Sequence, residues 1–227
     1  MITLYSGPLS LFSRKVEIAL LEKGLAFEIV MAPFTQSGGY QPKLPEVAAI
    51  NPKGQVPVLV DGDVAIYDST VILEYLEDAH PSPPLYPASA GARAACRLYD
   101  LYADEILLPP LRGLMHRTEQ HAADDQRWLA AEADAAEAAA GLARRFAKLD
   151  ADLEGRSWLC GAFGAADISV FLPVHYSERL AGPSLDGAPR LAEWRRRMLE
   201  RASVAKVVAA IRDADARLSA PVDGARA

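Results

Sequence analysis

Residues 2–5 alternate apolar and polar with the two-residue period of a short strand, and after the Gly7-Pro8 break the spacing becomes that of a helix over 10–23. Val16, Ile18, Ala19 and Leu20 give that helix its apolar side and Gly24 closes it. The apolar run 27–31 predicts a second strand, and 45–50 a short helix ended by Asn51, Pro52 and Gly54. Val58 to Val60, the two-residue turn signal Asp61-Gly62 and Val64 to Ile66 predict a hairpin. Asp68-Ser69 then caps a helix ending near Ala79. The order βαβαββα predicts a small mixed sheet of two parallel pairs joined by helices plus one antiparallel hairpin.

Beyond residue 80 the pattern changes. Prolines at 81, 83, 84 and 87 cannot continue a helix, so 81–88 reads as a linker. No strand pattern follows it. Residues 92–120, 125–153, 166–180, 188–200 and 203–218 read as helices, with Pro109-Pro110 kinking the first. Asp167 stands three positions after Gly164, a capping-box-like start with Phe163 as its staple. The expected division is a mixed α/β domain over 1–80, the linker 81–88, an all-helical domain over 89–218 and a frayed tail over 219–227.

Composition narrows the function. A hydrophobic content of 51% suits a globular chain, and a formal net charge of −6 lacks the positive field that a nucleic-acid or anionic-membrane binder needs. Arg195-Arg196-Arg197 then reads as a solvated helix face. Cys96 and Cys160 are far apart in sequence, without Cys-x-x-Cys spacing, and read as buried, inert thiols. His116 and His121 are five apart and give no metal-ligand spacing, so no metal is expected. With no apolar leader or span in the pattern, a reducing cytoplasm is the default.

Two neighbouring features carry chemistry. Pro57 at the head of a strand has no N–H for a ladder; with a cis bond before it, the Val56 backbone would face outward and pair with a short peptide-like ligand. One hairpin later, Asp68-Ser69 starts a helix whose first amides suit a small carboxylate, although alone it reads as an ordinary N-cap. Together they describe a site for a short anionic peptide.

The stretch 51–69, Asn-Pro-Lys-Gly-Gln-Val-Pro through Tyr-Asp-Ser, resembles the glutathione-binding part of cytosolic glutathione transferases, and the likeness extends over 2–218. It implies a thioredoxin-like N-terminal domain, an all-helical C-terminal domain and a homodimer. It also implies that the bond before Pro57 is cis, that Val56 pairs the cysteinyl backbone of glutathione and that Asp68 and Ser69 hold its γ-glutamyl end. The loop 6–13 lies where the first strand meets the first helix, at the carboxyl end of the sheet. By the resemblance to the bacterial Ser-containing (theta, tau and zeta-like) branch, Ser10 is the catalytic donor, placed before Lys15-Val16. Its O–H would stabilise the glutathione thiolate at a helix N-terminus; capping alone is the other reading of Ser10.

Gln55, Gln41 and Lys43 are candidates for the glycine carboxylate of the tripeptide. Phe12, Phe34, Leu108, Leu111, Arg112 and Met115 are candidates for the wall of a pocket for a small apolar electrophile, though plain core packing suits the apolar ones equally. The expected reaction is conjugation, a detoxifying step with glutathione as cosubstrate. Dehalogenation, ether cleavage and isomerisation share the scaffold, and the isomerase is disfavoured because Ser-Ser-Cys of zeta-like members is here Ser10-Leu11-Phe12. Absence of cysteine at position 10 argues against disulfide exchange. A binding or assembly module of the same fold is the reading from another class.

Overall fold

The structure is a computed structural model and describes residues 1–226. It divides into two units, one formed by residues 1–86 with 202–218, the other by 87–201 with 219–227.

The first unit holds strands β1 (Ile2–Ser6), β2 (Phe27–Met31), β3 (Val58–Asp61) and β4 (Val64–Tyr67) in the order β2-β1-β3-β4. Only β1 and β2 are parallel; β3 runs antiparallel to both β1 and β4. The expected second parallel pair is therefore wrong: β3 enters the sheet beside β1 in the reverse direction, and no local pattern encodes strand direction. The hairpin turn itself falls on Gly62 and Asp63, one position later than expected, because Asp61 pairs with Val64 and Gly62 takes the positive φ of 59°.

Helix α1 (Leu11–Glu22) packs on β1, and α3 (Ser69–Ala79) on β4 and α1; the short α2 (Pro45–Ile50) meets β4. Val16, Ile18, Ala19, Leu20, Ile72, Leu73 and Leu76 are fully buried with Leu4, Val58 and Leu59. The end of α1 is tied by a buried cation. Lys23 Nζ donates to Glu77 (2.8 Å) and to the carbonyls of His80 and Pro83, while Glu77 accepts from the Leu85 and Tyr86 amides. The last helix of the chain, α9 (Ala202–Leu218), lies against α1 and buries Val204, Val207, Ile211 and Ala214.

The second unit is helical. The expected helix 92–120 is α4 (Ala90–Leu101), a π-helix (Tyr102–Leu107), α5 (Leu108–Arg112) and a 3-10 helix (Met115–Thr118). Pro109 and Pro110 cannot supply the amide donors of a continuous α-helix, and the pieces differ accordingly. His116 and His121 therefore do not share one helix; both flank Trp128, with His121 stacked at 4.0 Å. Helix α6 (Gln126–Asp152) is followed by α7 (Ala165–Arg179), every residue of which is buried, and by α8 (Pro189–Leu199).

Asp167 anchors the start of α7. Its carboxylate accepts from the amides of Leu159 (3.1 Å) and Gly164 (3.1 Å) and from Trp194 Nε1 (2.8 Å), and burial pushes its pKa up to about 6. The Arg195–Arg197 run is not one solvated face. Arg196 and Arg197 pair with exposed Glu193, but Arg195 turns to the buried Glu178. In the tail, Ala220 N–H donates to the Thr118 carbonyl and Arg226 N–H to that of Glu178; Ala227 lies outside the described residues.

Candidate functional site

Register gathers the site. One row of pairing runs Tyr5–Val58–Tyr67 across β1, β3 and β4. Past Tyr5 the chain leaves as Ser6 and the loop to Ser10; Val56-Pro57 immediately precedes Val58; Asp68-Ser69 immediately follows Tyr67. Three segments far apart in sequence thus come to one end of the sheet, as the antiparallel β1–β3 pairing dictates.

Ser10 is the N-cap of α1, with φ −80° and ψ 108°, and its Oγ accepts from Ser13 N–H at 3.2 Å. The capping reading of Ser10 is therefore observed. Accepting that bond leaves the hydroxyl its own proton to donate. The loop around Ser10 is pinned from several sides. Gly7 N–H donates to Ser13 Oγ at 3.3 Å, Ser10 N–H to the Gly7 carbonyl at 3.1 Å, and the buried Arg14 guanidinium to the Pro8 carbonyl at 2.9 Å. Gly7 lies close against Tyr40: a Cβ built there would stand 2.3 Å from the ring, so any larger residue requires the tyrosine to move.

The Val56-Pro57 bond is cis, Pro57 is buried and Val56 is half-buried. The loop before it is fixed by Asn51, whose side-chain amide donates to the Gln55 carbonyl at 2.7 Å while its Oδ1 accepts from Lys53 N–H at 3.0 Å. Gln55 is exposed, and the aliphatic stem of Lys43 lies beside Gly54. Gln41, also exposed, donates its N–H to the Gly39 carbonyl.

Asp68 caps α3, its Oδ1 accepting from Thr70 (3.0 Å) and Val71 (3.4 Å) N–H. These two amides are thus filled by the cap itself, and among the helix's first amides they are not open to an incoming anion. Ser69 follows, nearly fully buried. Asp68 carries φ 74° and ψ 124°, a strained conformation for a residue with a side chain, of the kind that collects at functional sites at a cost of about 1–3 kcal/mol.

The apolar candidates divide between the units. Phe12, in the first turn of α1, and Phe34 are half-buried, and Phe34 meets Tyr40 at 4.7 Å. In the second unit Leu108 and Leu111 are core residues, Met115 is half-buried and Arg112 exposed. Sequence reasoning missed the residues that hold the loops: Arg14, Ser13, Tyr40 and the pinning role of Asn51. Only Asn51 carried a local signal, as the helix terminator before Pro52, and its side-chain bond to Gln55 depends on the fold.

A mixed four-stranded sheet with a cis-proline loop and a capped helix start at one end, followed by a helical unit, defines a thioredoxin-like transferase architecture. The chain belongs to the glutathione S-transferase family: residues 4–84 match the model of the glutathione S-transferase N-terminal domain and 106–202 that of the C-terminal domain. It is 29% identical to the glutathione S-transferase GstB of Escherichia coli K12, over 92% of this chain and 98% of that one. A crystal structure of a Methylobacterium radiotolerans glutathione S-transferase in complex with glutathione sulfonate matches with a TM-score of 0.72 and 30% identity, over 91% of this chain and 94% of that one. The stringent starvation protein A homolog of Coxiella burnetii is 40% identical over 96 residues, 42% of this chain. The match spans 43%, less than half, of that relative's length.

Proposed function

We propose that the chain is a glutathione transferase of the Ser-containing branch, in which Ser10 donates its O–H to the glutathione thiolate. The single observation that supports this most is the Tyr5–Val58–Tyr67 row, which sets the Ser10 loop, Val56 and Ser69 around one end of the sheet. In this reading the Val56 backbone pairs with the cysteinyl unit, and Gln55, Lys43 and Gln41 take the glycine carboxylate. The Asp68 carboxylate, which already accepts from two helix amides, suits the positively charged α-amino group of the γ-glutamyl residue, and Ser69 takes the adjoining α-carboxylate.

The thiolate then attacks a small apolar electrophile, with the half-buried Phe12 and Phe34 of the first unit as apolar lining. No metal takes part in this chemistry. A homodimer in the cytoplasm completes the reading; exposed Leu98, Leu101 and Ile106 on and after α4 are an apolar face that a second copy would cover. Among the described residues no helix is long and apolar enough to cross a membrane.

Two substitutions separate donation from capping. Glycine is a tolerable N-cap and alanine a poor one, costing about 1 kcal/mol, but neither has a hydroxyl. Ser10→Gly and Ser10→Ala should therefore both lower kcat for an activated aryl halide by about 10²-fold or more while glutathione still binds in calorimetry. Full activity in Ser10→Gly would rule out the donor role.

The Coxiella relative, whose name is not that of a transferase, supports a second reading as a binding or assembly module. Heat-free calorimetric titration with glutathione, together with no conjugation, dehalogenation, ether cleavage or isomerisation across a substrate panel, would favour it.

A further inference from the structure

Helix α1 hides an ion pair in its first turns. Arg14 is 2% exposed and Glu17 3%, and Arg14 Nη1 donates to Glu17 Oε2 at 2.5 Å. Arg14 Nη2 donates to the Pro8 carbonyl at 2.9 Å. Taking two charges out of water offsets most of their attraction, and a well-packed apolar pair of similar volume often serves stability as well or better. Arg14 Nε adds to the penalty, since it is buried with no acceptor among the described residues. Stability alone therefore gives no reason for a cation at position 14.

The pair's other contact is the turn that delivers Ser10. Ser10 N–H donates to the Gly7 carbonyl at 3.1 Å and closes the turn 7–10, and Arg14 N–H donates to the Ser10 carbonyl at 3.0 Å to begin α1. Inside that turn the ring of Pro8 fixes φ but leaves ψ free, and ψ is the rotation that swings the Pro8 carbonyl. The guanidinium bond to that carbonyl removes the remaining freedom. Two nitrogens of one rigid plane reach the carboxylate and the carbonyl together, so Glu17 orients the plane and Nη2 is aimed at the turn; a lysine ammonium has no such fork.

We infer that Arg14, oriented by Glu17, is a positioning residue for Ser10: its bond to Pro8 sets the turn from which Ser10 leaves, and with it the direction in which the Ser10 hydroxyl offers its proton to a thiolate. Ser10 Oγ already accepts from Ser13 N–H at 3.2 Å, so the aim of its proton depends on the backbone at Ser10, which the turn sets. A turn free to rotate at Pro8 would spread that aim, and misplacing a reacting group by about 1 Å costs up to about 10²-fold in rate. The inference rests on the proposed donor role of Ser10 and adds to it two buried residues that lie out of a ligand's reach.

The test separates positioning from stability. Combining Arg14→Met with Glu17→Leu replaces the pair by apolar groups, so the melting temperature should hold while kcat for an activated aryl halide falls by roughly 10- to 100-fold. Glutathione affinity in calorimetry should change by less than about twofold, the mark of an interaction that acts on the reacting group and not on binding. In the glutathione-free chain, amide exchange at Ser10 should quicken by about fivefold or more, with 16–20 of α1 unchanged. Arg14→Lys keeps the charge without the fork and should lower kcat by about fivefold or more at an unchanged melting temperature. Full kcat in Arg14→Lys, unchanged exchange at Ser10, or loss of the fold in the double variant beside a fully active Arg14→Lys would overturn the proposal. Exchange at Ser10 reports the turn whether or not Ser10 is the donor: quickened exchange with a fully active Ser10→Gly would leave the pinning of the turn standing and overturn the donor reading beneath it, whereas unchanged exchange with an inactive Ser10→Gly would overturn the role of Arg14 alone.

Discussion

At Asp167 a single carboxylate decides whether three buried N–H donors are satisfied. Removing it leaves the Leu159 and Gly164 amides and the Trp194 indole without their acceptor, so Asp167→Ala should cost roughly 3–5 kcal/mol in denaturant unfolding. The pH dependence has a definite sign. Burial raises the folded pKa to about 6 from 3.8, so between these values the folded state binds the extra proton. This group's contribution is therefore least favourable above pH 6 and gains on the order of 3 kcal/mol as pH falls toward 4. Stability of the native chain relative to Asp167→Asn should rise over that range; a difference flat with pH would contradict the assignment. Asp68 shows the opposite use of a carboxylate, exposed and strained at the site where a ligand's charge would arrive.

At the scale of elements, the pieces with their own periodicity were legible and the ones set by distant partners were not. Helix α2 (Pro45–Ile50) and strand β2 (Phe27–Met31) lie where the pattern puts them, because spacing and Pro or Gly stops are local information. The direction of β3 was not legible, nor was the turn of Arg195 toward Glu178, because each depends on what the fold brings alongside. The site shares this division: Ser10, Val56-Pro57 and Asp68-Ser69 stand out in the sequence, whereas Arg14 and Tyr40, which hold the loop, act through contacts to Pro8 and Gly7. The Lys23–Glu77 pair makes a further case, since it joins α1, α3 and the segment after α3. Lys23→Met would leave Glu77 charged and buried without its cation, at a cost of about 3–5 kcal/mol. A double-mutant cycle with Glu77→Gln should show strong coupling; additive losses would mean the pair acts separately.

For the whole molecule, sequence order and structural unit part company at the C-terminus. The pattern assigns 203–218 to the helical domain, yet α9 belongs to the unit that contains the sheet, where it buries four apolar side chains on α1. Deleting 202–227 would expose that apolar strip of α1 along with removing its cover, and about 1.5–3 kcal/mol is lost for each large buried side chain. The shortened chain should melt at lower temperature and aggregate at concentrations where the full chain does not; an unchanged melting curve would show that α9 contributes nothing to the first unit.

The account turns on one end of a four-stranded sheet, and a crystal structure of the chain soaked with glutathione tests it most directly. The expected complex has the cysteinyl backbone paired with Val56, the γ-glutamyl end at Asp68 and Ser69, and the sulfur within hydrogen-bonding reach of Ser10 Oγ. Glutathione bound elsewhere, or a sulfur turned away from Ser10, would contradict it.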